Sequence, residues 1–319
     1  MKKIIYLLGI TVSLGFMACS GEDDLTPSLE DRNWWVNIDN PDSPLDHAIY
    51  GVYEQYKVPI FYNDTIGVVD RGGKNSFGEP DLYYEILKLN YIVSGGSEAP
   101  SALYSLSLNE EDLMDGVELL RDYVLPKLPG FLPKPMSYLL VDTLWRGVTT
   151  TSQTPYSAKA YAGKTTVAIG KLAEIKNMSQ EDKMLMASAI IASPIAYRIF
   201  SDYKSTELNK TGGFFKEMTK LGKYGYSYMA EVNINIVGDL FKPPYAHWNE
   251  YGFINPAPDK AFIENELYFF PTQEQDVEDF VGLCLGFTKE EVEAIYGQYE
   301  HIMNKYRCMM EIVDLIKVE

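Results

Sequence analysis

Residues 165–200 read TTVAIGKLAEIKNMSQEDKMLMASAIIASPIAYRIF, and the change of rhythm inside that stretch decides the fold class. Residues 165–169 are β-branched or apolar and end at Gly170, which is the composition of a short strand. From Ser179 the pattern is helical. Ser179 is placed to cap, Asp182 three residues on completes a capping-box pattern, and residues 184–200 are almost wholly apolar. A helix apolar on most sides is buried on most sides. Pro194 lacks an amide hydrogen and collides with the preceding turn, so it kinks this helix or splits it in two.

Outward from this stretch, strand and helix signals alternate. Pro44-Leu45-Asp46 opens a helix in which Leu45, Ile49, Val52, Tyr53 and Tyr56 fall near helical spacing, and Lys57 closes it ahead of Pro59. Residues 60–62 and 66–69 read as strand pieces, followed by a turn at residues 71–75. Residues 82–93 fit helix or strand. Asn109 caps a firmer helix, with Glu110, Glu111 and Asp112 at its positive end and Leu113, Val117, Leu120 and Val124 as its stripe. Pro126, Pro129, Pro133 and Pro135 end it. Residues 138–141 read as a strand, and a Thr- and Ser-rich loop follows.

Beyond residue 200, residues 211–266 read as short pieces and turns punctuated by Pro243-Pro244 and Pro256-Ala257-Pro258. Residues 276–285 look helical, and Thr288 caps the last and longest helix. No repeat and no linker divides the body, so the expected fold is a single α+β domain with a small mixed sheet and several helices.

The N-terminus supplies an address. Lys2 and Lys3 precede an apolar run from Ile4 to Met17, and Phe16-Met17-Ala18-Cys19 is followed by Ser20-Gly21-Glu22-Asp23-Asp24. A basic start, a short apolar core and a small residue before the cut describe a secretory signal peptide. The run is shorter than the roughly 20 apolar residues that span a bilayer. The cut site resembles a bacterial lipobox, in which the cysteine takes a diacylglyceryl group and becomes the new N-terminus. The expected organisation is a signal peptide over residues 1–18, a lipidated N-terminus and tether over 19–40, and the α+β domain over 41–319, with Cys19 as the lipidation site. The alternative is an ordinary signal peptide with an incidental cysteine. The acidic residues after Cys19 also resemble surface-export signals of some lipoproteins of gut-type Gram-negative bacteria, so the expected place is the outer membrane, lipid-anchored and surface-exposed.

The full chain carries a net charge of -17, and removing residues 1–18 takes away two lysines. Such a body disfavours nucleic acid and anionic lipid surfaces. Cys284 and Cys308 are either a disulfide of an oxidising compartment or two buried thiols. Asn63, Asn177 and Asn209 head glycosylation sequons, which carry no weight in a bacterial lipoprotein. The 24 tyrosines fill cores and half-buried sheet faces or line a sugar-binding surface. For the second case Trp34, Trp35, Trp145 and Trp248 are the stacking candidates.

The order of motifs carries a resemblance. Leu45-Asp46 lies on the first helix, and Tyr56-Lys57-Val58-Pro59-Ile60-Phe61-Tyr62 follows. The strand at 165–169 and the apolar helix come next, then Gly252-Phe253-Ile254-Asn255-Pro256, Glu278-Asp279-Phe280 and a terminal helix. Over residues 40–318 this resembles the zincin-like, zinc-binding metallopeptidase lipoproteins that accompany TonB-dependent nutrient importers in the outer membrane. The resemblance implies a zincin-like fold, a bound zinc and a partner importer.

That family's H-E-x-x-H motif places two histidines on one helix face for zinc and a glutamate as general base. The corresponding helix here reads Met184-Leu185-Met186-Ala187-Ser188-Ala189-Ile190-Ile191-Ala192-Ser193-Pro194 and has neither residue type. His47, His247 and His301 are far apart and read as structural, and Pro243 and Pro244 make the surroundings of His247 and Glu250 a loop. Glu278 and Asp279 stand where the family has an acidic cluster, with Gly282 in place of a second glutamate. Without histidines they read as acids that cap a helix start. No metal ligand, no catalytic residue and no cofactor is therefore assigned.

There is no G-x-S-x-G elbow and no P-loop. A glycosidase-like acid pair stays open, because sequence spacing says nothing about carboxylate separation. Three functions are expected in turn. The first is a lipoprotein that binds peptide or glycan in a degenerate zincin cleft and assists nutrient uptake. The second is an active hydrolase with hidden ligands, and the third is a glycan-binding or structural component of a surface uptake complex.

Overall fold

Tyr138-Leu139-Leu140-Val141 is buried on both faces, as a strand must be when it has parallel neighbours and layers above and below. A computed structural model describes residues 33–89, 102–146, 156–217, 248–256 and 271–317. Cys19, the signal peptide and most of the tether lie outside the described residues, as do His247 and residues 218–247.

In chain order the elements are α1 (Pro44–Tyr56), β1 (Ile60–Phe61), β2 (Thr65–Lys74), β3 (Pro80–Ile86), β4 (Ala102–Leu106), α2 (Glu110–Leu119), β5 (Ser137–Arg146), β6 (Tyr156–Ser157), β7 (Ala160–Ala162) and β8 (Thr166–Ile169). Then come α3 (Leu172–Ile175), α4 (Gln180–Ala192), α5 (Ala196–Tyr203), α6 (Phe214–Glu217), α7 (Gln273–Gly286), α8 (Lys289–Tyr296) and α9 (Glu300–Ile316). The fold is α+β. One sheet has the order β1-β5-β8-β7, with β4 and β6 also on β5, while β2 and β3 form a separate two-stranded sheet. Along β5 the first half pairs in parallel with β1 and β8, and the second half pairs antiparallel with β4 and β6.

Contacts group the chain into two units. The smaller holds Trp34 and the hairpin of Gly67–Glu85, and the larger holds Trp35–Ile66 and everything from Ile86 onward. In the hairpin, Asn75 rather than Arg71 begins the turn. The Asn75 carboxamide accepts from the amides of Phe77 and Glu79, and the strand runs on through Gly72 and Gly73 at φ 77° and 82°. Glycine tolerates those angles, so a turn-like composition sits inside a strand.

The larger unit has two buried helical layers. Tyr138, Leu140, Val167 and Ile169 pack with α1, α2 and α4 residues such as Ile49, Val117, Met186 and Ile190. Leu139, Val141, Leu144 and Ala168 face the other way, into a cluster with Leu87, Leu89, Ala102 and Ala158. The third cluster joins α5 to α7, α8 and α9 through Ile199, Phe280, Val292, Ile302 and Met309.

Caps set the helix starts. Ser179 and Asp182 form the capping box of α4, and Thr272 with Gln275 does the same for α7. The apolar helix is broken as expected at Pro194, and α4 and α5 diverge by 61°. Two boundaries differ from expectation. α7 starts at Gln273, earlier than its apolar pattern shows. The terminal helix is two helices, α8 capped by Thr288 and α9 starting after Tyr299. Among the described residues no single helix is long and apolar enough to cross a membrane.

Between α4 and α7 the approach is close. A Cβ on Gly282 would stand 3.1 Å from Ser188 Oγ, and one on Gly286 would stand 2.6 Å from Ser188 Cβ. Gly282 is therefore a packing glycine.

Candidate functional site

The end of β5 carries Arg146 out of the sheet toward α7. Its Nη1 donates to both oxygens of Glu278, at 2.9 and 2.8 Å, and Nη2 lies 3.8 Å from Glu274. The guanidinium also sits 5.9 Å from the centre of the Tyr156 ring and 6.0 Å from that of Tyr161. Burial works against its charge, but Glu278, Tyr156 and Glu274 together more than offset this and hold the arginine protonated. Burial pushes the Tyr156 hydroxyl up to about 12.

Beside this pair opens a cleft of about 190 Å3. Tyr156, Ser157, Ala158, Lys159 and Ala160 from β6 and β7 form one wall, and Gln275, Glu278 and Asp279 of α7 form another. Lys171, Ala189 of α4, Asn255 and Pro256 complete it. The segment that crosses from β6 to β7 is held by backbone bonds, Ala158 N to Leu144 O at 2.8 Å and Gly170 N to Lys159 O at 3.0 Å.

The lining charges are unequally satisfied. Asp279 Oδ1 accepts from Asn255 Nδ2 at 2.9 Å. Burial raises its carboxyl to about 7, with Lys159 and Asn255 opposing and Glu278 and Asp276 adding to the rise. Lys171 has Glu174 at 3.5 Å. Lys159 is half-buried, burial lowers its ammonium from the usual lysine range, and among the described residues nothing accepts a hydrogen bond from it.

Behind the cleft lies a second lysine. Lys305 of α9 is fully buried and donates to Asp276 Oδ1 and to Gly252 O, both at 2.6 Å. Its ammonium lies 4.5 to 4.8 Å from the ring centres of Phe214, Phe253 and Phe280. The bond to Gly252 fixes the turn that delivers Asn255 to Asp279.

Glu278 and Asp279 are thus brought together in the cleft, but the expectation that they cap a helix is corrected. Thr272 is the cap, and both acids fall in the second turn of α7, where helical amides are already bonded. The tryptophans are dispersed, and none lines the cleft. Trp34 lies over Gly67. Trp35 meets Phe61 edge-on at 6.2 Å, and Trp248 O accepts from Tyr251 and Phe253. Trp145 pairs with Leu103 and Ser157, and strand alternation turns it away from the face of Arg146.

His47 bonds Asp39 and His301 bonds Glu217, each at 2.7 Å. Cys284 and Cys308 are free thiols. Among the described residues no three His, Cys, Asp or Glu side chains are grouped so as to hold a metal ion. The described residues that line the cleft offer amine, guanidinium and amide groups beside two acids.

The sequence did not single out Arg146, Lys159, Tyr156, Asn255 or the Lys305–Asp276 pair. A charge at the end of an apolar strand and a lysine between two alanines were the available signals, and both resemble ordinary surface positions. No family model matches the chain, and neither a curated protein nor a solved structure does.

Chemically, the arrangement suits binding. It offers fixed charges of both signs, an acid that exchanges its proton near neutrality, and small residues that leave room.

Proposed function

We propose that the chain is a lipoprotein anchored through Cys19 in the outer membrane and displayed at the cell surface. Its zincin-like domain holds a peptide or glycan in the cleft beside α4 and passes it to a TonB-dependent importer, without zinc hydrolysis. The observation that carries this is Ala189. The helix that would bear the zinc ligands in the resembled family borders an open cleft here, and the side chains around it are Lys159, Arg146, Glu278 and Asp279.

Two measurements test it. Metal analysis of the purified full chain should find no stoichiometric zinc, and peptide hydrolysis should be absent with or without added zinc. Zinc at one per chain, with hydrolysis lost on chelation and restored by zinc, would replace this reading with an active hydrolase. Cys19→Ala should shift the protein out of the membrane fraction. A variant that stays membrane-bound would remove the anchor from the account.

A further inference from the structure

We propose that Lys159 anchors a ligand carboxylate, so that the cleft is a subsite for an acidic sugar or for the C-terminus of a peptide. This rests on the cleft being a binding site and adds the class of ligand it takes.

The charge inventory leads there. Arg146 is held by Glu278 and flanked by Glu274. Lys171 faces Glu174, and Asp279 takes the Asn255 amide. Lys159 is the cation left over among the lining residues. Its ammonium has three donors, and none reaches an acceptor among the described residues. A half-buried ammonium whose donors meet no protein acceptor is left to water or to an incoming acceptor.

The acceptor should carry one negative charge. Glu278 is already matched by Arg146, and Asp279 faces the same space, so a dianion such as a phosphate would bring two negative charges to one free cation. A carboxylate matches the single charge, and its two oxygens can each take a donor from Lys159. Asp279 is near enough to act on Lys159 electrostatically, and among the described residues the two make no ion pair.

Size narrows the ligand further. A cleft of about 190 Å3 has space for several waters, the scale of one sugar ring or one amino-acid residue. Ala158, Ala160, Ala189 and Pro256 give that ring or side chain an apolar floor, and Ser157, Tyr156 and Gln275 offer polar contacts around it.

The test uses two matched pairs of probes against the full chain in ligand-observed NMR titrations. D-glucuronate is compared with D-glucose, and N-acetyl-alanyl-alanine with its C-terminal amide. One acidic probe should bind at least tenfold more tightly than its neutral partner, and which pair shows this separates the sugar source from the peptide source. Lys159→Met should abolish the preference, and Lys159→Arg should keep most of it, with circular dichroism confirming that both variants fold. Equal binding of acidic and neutral partners would overturn the carboxylate subsite while leaving a binding cleft. A preference that survives Lys159→Met would overturn the role of Lys159. Binding of none of the four probes would overturn the carboxylate proposal, and a wider peptide and glycan panel that also fails would remove the binding reading itself.

Discussion

Two lysines face two aspartates three residues apart on α7, and the protein treats them in opposite ways. Lys305 is shut in with Asp276, a backbone carbonyl and three aromatic faces. Lys159 stands in a cleft with Asp279 nearby and no acceptor among the described residues. The first pair is complete in itself, so it reads as structure. The second has donors and space left over, so it reads as a place for a ligand. Burial alone does not mark function. Incomplete satisfaction beside open space does.

The largest expected effect falls on the closed pair. Lys305→Met leaves Asp276 buried without its cation, and chemical denaturation should show a loss of about 3–5 kcal/mol. Replacing both partners with apolar residues should recover most of that loss. A single variant as stable as the parent would break the comparison at its structural end.

Gly286→Ala is next. The new methyl meets Ser188 Cβ, and the forced separation of α4 and α7 should cost about 1–3 kcal/mol. Unchanged stability would mean that the two helices are free to part. The cleft would then owe nothing to their close packing.

Asp279→Asn tests the open pair by pH. The folded state raises this carboxyl to about 7, whereas an unfolded aspartate titrates near about 4. Between those values the folded chain keeps a proton that the unfolded chain releases, so stability falls as pH rises through this window. The variant should match the parent below pH ~4 and exceed it above pH ~7 in thermal unfolding, with the gap opening between those values. An equal difference at both pH values would contradict the raised carboxyl.

The smallest effect on stability is expected from Lys159→Met. Removing an ammonium that no described side chain or carbonyl accepts should leave the melting temperature within about 1–3 °C of the parent. A loss comparable to that of Lys305→Met would show that Lys159 is structural too.

Much of this fold was legible in the sequence because it is written in short-range patterns. Ser179 and Asp182 announce α4, Pro194 announces its break, Asn109 announces α2, and the β-branched and apolar run at 165–169 announces β8. The start of α7 was missed because Thr272 and Gln275 cap it ahead of its first apolar residue. The hairpin turn was displaced because Gly72 and Gly73 look like turn residues inside a strand.

The site was less legible. Glu278 and Asp279 could be named from their place in a pattern, but their partners come from β5, from the segment between β6 and β7, and from the turn at residues 252–255. Arg146 and Glu278 are 132 residues apart, and no local rhythm links such positions. Lys305 looks like any lysine on an amphipathic helix until three rings are seen around it. The tryptophans gave the opposite error of emphasis, since stacking potential is a property of the ring while availability is a property of the fold.

The central claim is that the Lys159 cleft is open and unsatisfied while the Lys305 site is closed. Acylation of the folded full chain with an amine-reactive reagent, quantified lysine by lysine by mass spectrometry across pH, measures this directly. The account predicts that Lys159 reacts at a lower pH than exposed lysines such as Lys289, because burial lowers its ammonium, and that Lys305 stays unmodified until the chain unfolds. A Lys159 as inert as Lys305, or a Lys305 that reacts in the folded chain, would contradict it.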